Sequence, residues 1–224
     1  MSGFLRAVYR VFRKDLRIER RTKQVTTTVA VFALLVVLAF AFSFVQTLQR
    51  SALLGRGALW IAFVFAGTFG VTKTVELEDR NGALDGLLVA PVDRSAIYLG
   101  KVLSTTVFVF AVSLVTLGST AVFLGYSPSV STAVSIAAVL LVSAVGFAAI
   151  GVVVSILTFR SGLDELALPV LLVPLVVPLL LAGVELTAAL ESGAPLGGWL
   201  RLLGLYTGIV LLAGVATFEY VVET

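Results

Sequence analysis

Residues 146–187 read GFAAIGVVVSILTFRSGLDELALPVLLVPLVVPLLLAGVELT. The stretch is an apolar run, a joint at 159–165 carrying Arg160, Asp164 and Glu165, and a second apolar run punctuated by Pro169, Pro174 and Pro178. A bilayer hydrocarbon core of roughly 30 Å is crossed by about 20 apolar residues in helical conformation, so each run predicts one membrane-spanning helix. The same reading finds runs at 25–46, 55–74, 97–124, 130–158, 164–184 and 199–220. Between them stand Arg50 and Arg56, the charged stretch from Lys73 to Arg94, Pro128, the 159–165 joint, and a loop from Glu185 to Trp199 with Gly193, Pro195, Gly197 and Gly198. The fold class that follows is an all-α integral membrane protein of six transmembrane helices.

Composition agrees. Of 224 residues, 59% are hydrophobic and only 13% charged, and the mean hydropathy is +1.09. A soluble domain of this length lacks the polar surface to cover such a chain. Cysteine and histidine are both absent. Disulfides, thiol chemistry, zinc cages, the commonest general base and the usual haem ligand are thereby excluded, and no metal site is expected. Orientation follows from Lys and Arg, which are retained preferentially in the cytoplasm. A cytoplasmic amino terminus places Arg6, Arg10, Arg13, Lys14, Arg17, Arg20, Arg21, Lys23, Lys73, Arg80, Arg94, Lys101 and Arg160 inside, and leaves Arg50, Arg56 and Arg201 outside. Both termini are then expected in the cytoplasm of a multi-pass cell-membrane protein, with the loop around Glu185 and Glu191 outside. The basic leader is too long for a signal peptide, so the first apolar run is expected to remain in the mature protein.

Residues 1–24 predict an amphipathic interfacial helix in the cytoplasm. Arg6, Arg10, Arg13, Arg17 and Arg20 recur at spacings of three and four and form one stripe, with Phe4, Leu5, Val8, Val11, Phe12, Leu16 and Ile18 opposite. The apolar face suits the acyl boundary of the lipid bilayer, and the arginines suit anionic head groups, at about 1 kcal/mol each. Asp15 and Glu19 break the apolar side. They read as local partners of neighbouring arginines or as a bend into the first span, or else as a docking point for a cytoplasmic partner.

Two further stretches could carry mechanism. The segment from Val75 to Lys101 reads VELEDRNGALDGLLVAPVDRSAIYLGK. It concentrates Glu76, Glu78, Asp79, Asp85 and Asp93, breaks at Asn81-Gly82, and is bounded by Pro91. Between the breaks, Ala83, Leu84, Leu87 and Leu88 form a turn or two of amphipathic helix, read as a short cytoplasmic coupling helix gripped by another protein or as a solvated loop. The fifth run contains Pro169, Pro174 and Pro178, each removing a backbone hydrogen bond and crowding the preceding turn. Helix kinks are expected at these three positions, serving as a hinge or as a fixed packing solution. Ser104, Thr105, Thr106, Ser113, Thr116, Ser119 and Thr120 suit packing in the third span, and Gly146, Gly151 and Ser155 mark close helix approach in the fourth.

Catalytic residues are not found. The only Gly-Lys pair, Gly100-Lys101, is followed by Val102 and has Ser95 where a phosphate-cradling loop needs glycine. Energy must come from a partner. The absence of a charged residue deep in any run argues against ion-coupled transport and against an intramembrane enzyme.

The pattern Asn81-Gly82-Ala83-Leu84-Asp85, Leu87-Leu88, Pro91 and Gly100-Lys101 resembles membrane subunits of type 2 ABC exporters. More specifically, residues 146–187, with KDLRIERR at Lys14–Arg21, are similar to the haem exporter protein B family of cytochrome c maturation. The resemblance runs over nearly the whole chain, and its one noted departure is Ala83 where many members carry a hydroxyl residue. It implies a permease domain at 25–224 whose coupling contacts to a soluble ABC ATPase come from Glu76, Glu78, Asp79, Gly82, Leu84, Asp85, Leu87 and Leu88. It also implies haem-handling membrane partners, and it leaves room for a homodimer. ATP would bind the partner subunit and haem would be handled by the complex, with no cofactor bound directly and no nucleic-acid partner. The work done would be haem export or release of a haem-loaded chaperone. The alternative is a permease for a lipid, drug or glycan.

Overall fold

The computed structural model describes residues 2–43, 51–80, 93–160 and 167–223. Among them stand seven α-helices and no strand: α1 (Ser2–Thr22), α2 (Gln24–Ser43), α3 (Ser51–Arg80), α4 (Arg94–Leu124), α5 (Val130–Arg160), α6 (Ala167–Ser192) and α7 (Gly197–Glu223). Six of them, α2 to α7, are long and apolar enough to cross a membrane. They alternate in direction, so the bundle has a basal end, bearing α1, Arg80 and Arg94, and a distal end, bearing Gly125–Ser129 and Gly193–Leu196.

Several helices run past the ends of the apolar runs. α6 continues through Glu185 and Glu191 to Ser192, and the distal connection to α7 is only Gly193–Leu196. The expected outer loop around those two glutamates is therefore helix. Hydropathy falls where the hydrocarbon ends, but backbone hydrogen bonding continues into the head-group layer. In the same way α3 extends through Glu76 to Arg80.

The core forms where large side chains enter gaps left by glycine. α5 is the most buried span and packs against α3, α4, α6 and α7. Trp60 of α3 is fully buried, with its ring against Gly183 of α6, so close that a Cβ there would overlap it. Its indole N–H donates to Thr187 Oγ1 at 3.0 Å, and that hydroxyl donates in turn to the Gly183 carbonyl at 2.8 Å. Phe63 meets Phe147 edge to face, with ring centroids 5.7 Å apart. Gly146 faces Leu179 and Thr207, and Gly151 faces Val71, so these two glycines do mark close approaches. Ser155 instead bonds back to the Val152 carbonyl. The α4 hydroxyls of Ser113, Thr116, Ser119 and Thr120 likewise bond to carbonyls of their own helix. The outward apolar side chains, Val122, Val130, Val170 and Leu212 among them, are exposed as a lipid-facing surface requires.

α1 is not a straight extension of α2. Lys23 between them adopts a left-handed conformation, φ 53°, which ends α1 and redirects the chain. α1 then packs along α4.

Candidate functional site

The basal end is assembled around the start of α4. Asp93 caps that helix by accepting from the Ser95 backbone N–H at 3.0 Å. Two turns on, Gly100 lets α1 approach closely. A Cβ at this position would lie 2.6 Å from the Val11 Cβ and 3.0 Å from the Val8 carbonyl oxygen. Ser104, a further turn along, donates to Asp15 Oδ2 at 3.0 Å. Asp15 also pairs with Lys14 at 3.1 Å. Glu19 accepts from the backbone N–H of Thr26 at 2.6 Å and from its hydroxyl, so it caps the free amide end of α2. The expectation that these acids serve neighbouring arginines is corrected: apart from Asp15 with the adjacent Lys14, both turn onto the helices that α1 rests against. Their position explains this, because Asp15 and Glu19 share the Val8–Val11 side of the wheel.

Segment 81–92 joins α3 to α4 in the chain. Gly82, Leu84, Asp85, Leu87 and Leu88 lie outside the described residues. Glu76, Glu78 and Asp79 lie on the last turns of α3 by backbone, with side chains outside the described set.

The distal end is held by a cluster that the linear sequence did not reveal. Arg56 Nη1 of α3 lies 3.3 Å from Glu191 Oε2 of α6. Tyr126, buried in the connection between α4 and α5, donates its hydroxyl to Glu191 Oε1 and lays its ring on Gly55. Burial, reinforced by the Glu191 hydrogen bond and charge, raises the Tyr126 hydroxyl well above its ordinary value of 10.0, so it remains a donor. Arg56 opposes that rise but does not cancel it. The clasp joins three elements at one carboxylate.

Between the two ends lies the proline-bearing helix. Pro174 and Pro178 stand inside α6, whereas Pro169 falls in its first turn. A first-turn proline displaces no intrahelical hydrogen bond, so Pro169 is removed from the expected kinks. On α7, Tyr206 reaches the affected segment and donates to the Leu175 carbonyl at 2.6 Å. Above the prolines α6 is fastened to α3 through Gly183, Thr187 and Glu191; between them, at Leu175, it is met by Tyr206.

Among the described residues no group of His, Cys, Asp or Glu could hold a metal ion. The arrangement consists of a basal dock, a proline segment and a distal clasp. The family model described as CcmB protein matches residues 6–222, from α1 into the last turn of α7. The chain belongs to the CcmB family. Among curated proteins it is similar to heme exporter protein B of Escherichia coli strain K12, with 26% identity over 212 residues, covering 94% of this chain and 93% of that protein. Heme exporter protein B of Shigella flexneri matches with the same identity and coverage. The CcmB match includes both the basal dock and segment 81–92.

Proposed function

We propose that the chain is the membrane-spanning permease subunit of an ABC-type complex of cytochrome c maturation, working in the cell membrane with both termini cytoplasmic. The observation that carries this reading is the CcmB match, which takes in all six spans and the basal end together. Relatives named for haem export supply the substrate class. The chain has no phosphate-cradling loop, so ATP is hydrolysed on a separate soluble subunit. That subunit grips residues 76–93, with Leu84, Leu87 and Leu88 as the apolar contact and Glu76, Glu78, Asp79 and Asp85 as its charged rim. Haem-handling membrane proteins complete the complex, whose output is haem export or release of a haem-loaded chaperone. Pro174 and Pro178 form the hinge through which the stroke passes, in keeping with the fastening of α6 to α3 beyond them at Thr187.

The test is co-purification of the tagged chain from detergent. Leu84→Glu and Leu87→Glu are expected to release the ATPase and abolish its stimulation while the six-helix fold, followed by helical circular dichroism and thermal unfolding, is retained. ATPase that remains bound and stimulated in both variants would remove segment 76–93 as the coupling element.

A further inference from the structure

Most buried hydroxyls of the bundle, those of Ser113, Thr116 and Thr158 among them, donate to a carbonyl four residues back on their own helix. Three do not. Thr106 of α4, Ser143 of α5 and Thr207 of α7 are only 6%, 0% and 7% exposed, and their hydroxyl oxygens have no hydrogen-bond partner among the described residues. A hydroxyl shut away from solvent without a bond is costly, and a helical Ser or Thr has the back-bond within reach.

The three stand at one level of a single three-helix junction, in which α4, α5 and α7 all touch one another. Tyr98 of α4 marks its basal side. It donates to the Ala149 carbonyl of α5 at 3.1 Å, and its hydroxyl oxygen rests on Gly214 of α7, where a Cβ would overlap it. Thr106 lies eight residues beyond Tyr98, Ser143 six before Ala149 and Thr207 seven before Gly214. With α4 running opposite to α5 and α7, the helical rise puts all three about 9–12 Å to the distal side of the Tyr98 contact. Their directions agree. Thr207 stands about 20° round α7 from Gly214, Thr106 about 80° round α4 from Tyr98, and Ser143 about 60° round α5 from Gly146. Thr207 Oγ1 comes within 2.9 Å of the place of a Cβ on Gly146, and that place is about 5–6 Å from the Ser143 Cβ.

Three neutral hydroxyls do not offset the burial of an ion, and side chains this enclosed admit only a small molecule. Water is small, neutral, and both donor and acceptor. We propose that Thr106, Ser143 and Thr207 form a binding site for buried water, one or two molecules bridging α4, α5 and α7. Hydroxyls roughly 5 Å apart are too distant to bond one another, but bonds of about 2.8 Å to a shared water span the gap. The water supplies each hydroxyl with the partner that its own helix does not, and ties the three helices together about two turns from the Tyr98 contact.

Two measurements on the full chain, purified in nanodiscs, test the site. Radiolytic footprinting by hydroxyl radicals oxidises side chains beside bound water even where bulk solvent does not reach. Leu179, fully buried against Gly146, should be oxidised, and Leu172, as deeply buried two turns earlier on α6, should be spared. The Leu179 signal should be lost in Thr106→Val/Ser143→Ala/Thr207→Val. In equilibrium unfolding, each single variant should lower the folding constant about two- to tenfold, the yield of one hydrogen bond. Double variants should depart from the product of the singles by about twofold or more. Equal modification of the two leucines in the native chain would overturn the proposal. So would single variants that leave stability unchanged or raise it, the result expected of hydroxyls that have no partner. Costs that multiply without coupling would give each hydroxyl a separate partner and end the shared site. Should the triple variant not fold, the native footprint and the single variants decide.

Discussion

Trp60 depends on two residues more than 120 positions away, and that dependence can be measured. Its N–H sits in an apolar surround with Thr187 Oγ1 as its acceptor. Thr187→Val keeps the shape and deletes the acceptor, and it should cost about 1–2 kcal/mol, measured by denaturation of the purified chain in mixed micelles. Gly183→Leu should cost more, about 1–3 kcal/mol or outright misfolding, because its first carbon already overlaps the indole ring. Equal stability of both variants and the native chain would mean that α3 and α6 are not held through this contact. Tyr126 gives a pH-dependent counterpart. Its hydroxyl ionises higher in the folded chain than its ordinary 10.0, so its contribution is complete below about pH 10 and is lost as pH rises through the folded value. Thermal unfolding should show an alkaline loss that Tyr126→Phe removes, with no difference in slope between the two proteins from pH 7 to pH 9. The individual partners were illegible in the sequence for a physical reason. Glycines scattered through apolar runs do not declare which face they occupy, and charges such as Arg56 and Glu191 carry no mark of the register that brings them together. Gly146 and Gly151 were readable as close approaches from their small size within an apolar run, but not their partners, since they lie on different faces and meet Leu179 with Thr207 and Val71 respectively.

At the level of the helix, α6 is the element in which fastening and weakness meet. Pro174 and Pro178 remove donors within the helix, while Thr187 and Glu191 tie its distal half to α3. Pro178→Ala restores a backbone hydrogen bond and should leave stability unchanged or raised, by up to about 3 kcal/mol. If α6 hinges here, the same variant should lose most of the ATPase stimulation measured in the reconstituted complex. Unimpaired stimulation would make the kink a fixed feature of packing. The sequence announced this helix but misjudged its distal end. Pro169 looked equivalent to the other two because composition does not distinguish a first turn from an interior one. Glu185 and Glu191 looked like loop because polarity returns before the helix stops. α1 was legible as an amphipathic helix, while the purpose of its two acids was not, since it depends on Ser104 and Thr26 in other helices.

At the scale of the molecule, the number of spans was readable because the bilayer thickness imposes a length that each apolar run satisfies. Their packing order was not, because lipid-facing and buried side chains are equally apolar in a membrane. The topology is checked by reporter fusions: one at Thr224 should report from the cytoplasm and one at Gly193 from the outside, and either result reversed would invert the orientation. The same whole-chain view predicts how haem is met. The chain has no His or Cys and only Met1, and the hydroxyls of Tyr98, Tyr126 and Tyr206 are engaged by Ala149, Glu191 and Leu175. The purified chain alone should give a broad, unsaturable haem absorbance; a stoichiometric, six-coordinate reduced spectrum would reveal a ligand in this subunit. Finally, α4 begins at the Asp93 cap, next to segment 81–92, and ends at Gly125, with Tyr126 of the clasp as the very next residue. Both internal ends of the machine are thus mounted on one rod. An axial displacement at its foot is carried the length of α4 and passes through one left-handed residue, Gly125, to Tyr126 and the Glu191 carboxylate, so the two ends of the molecule share a single pushrod.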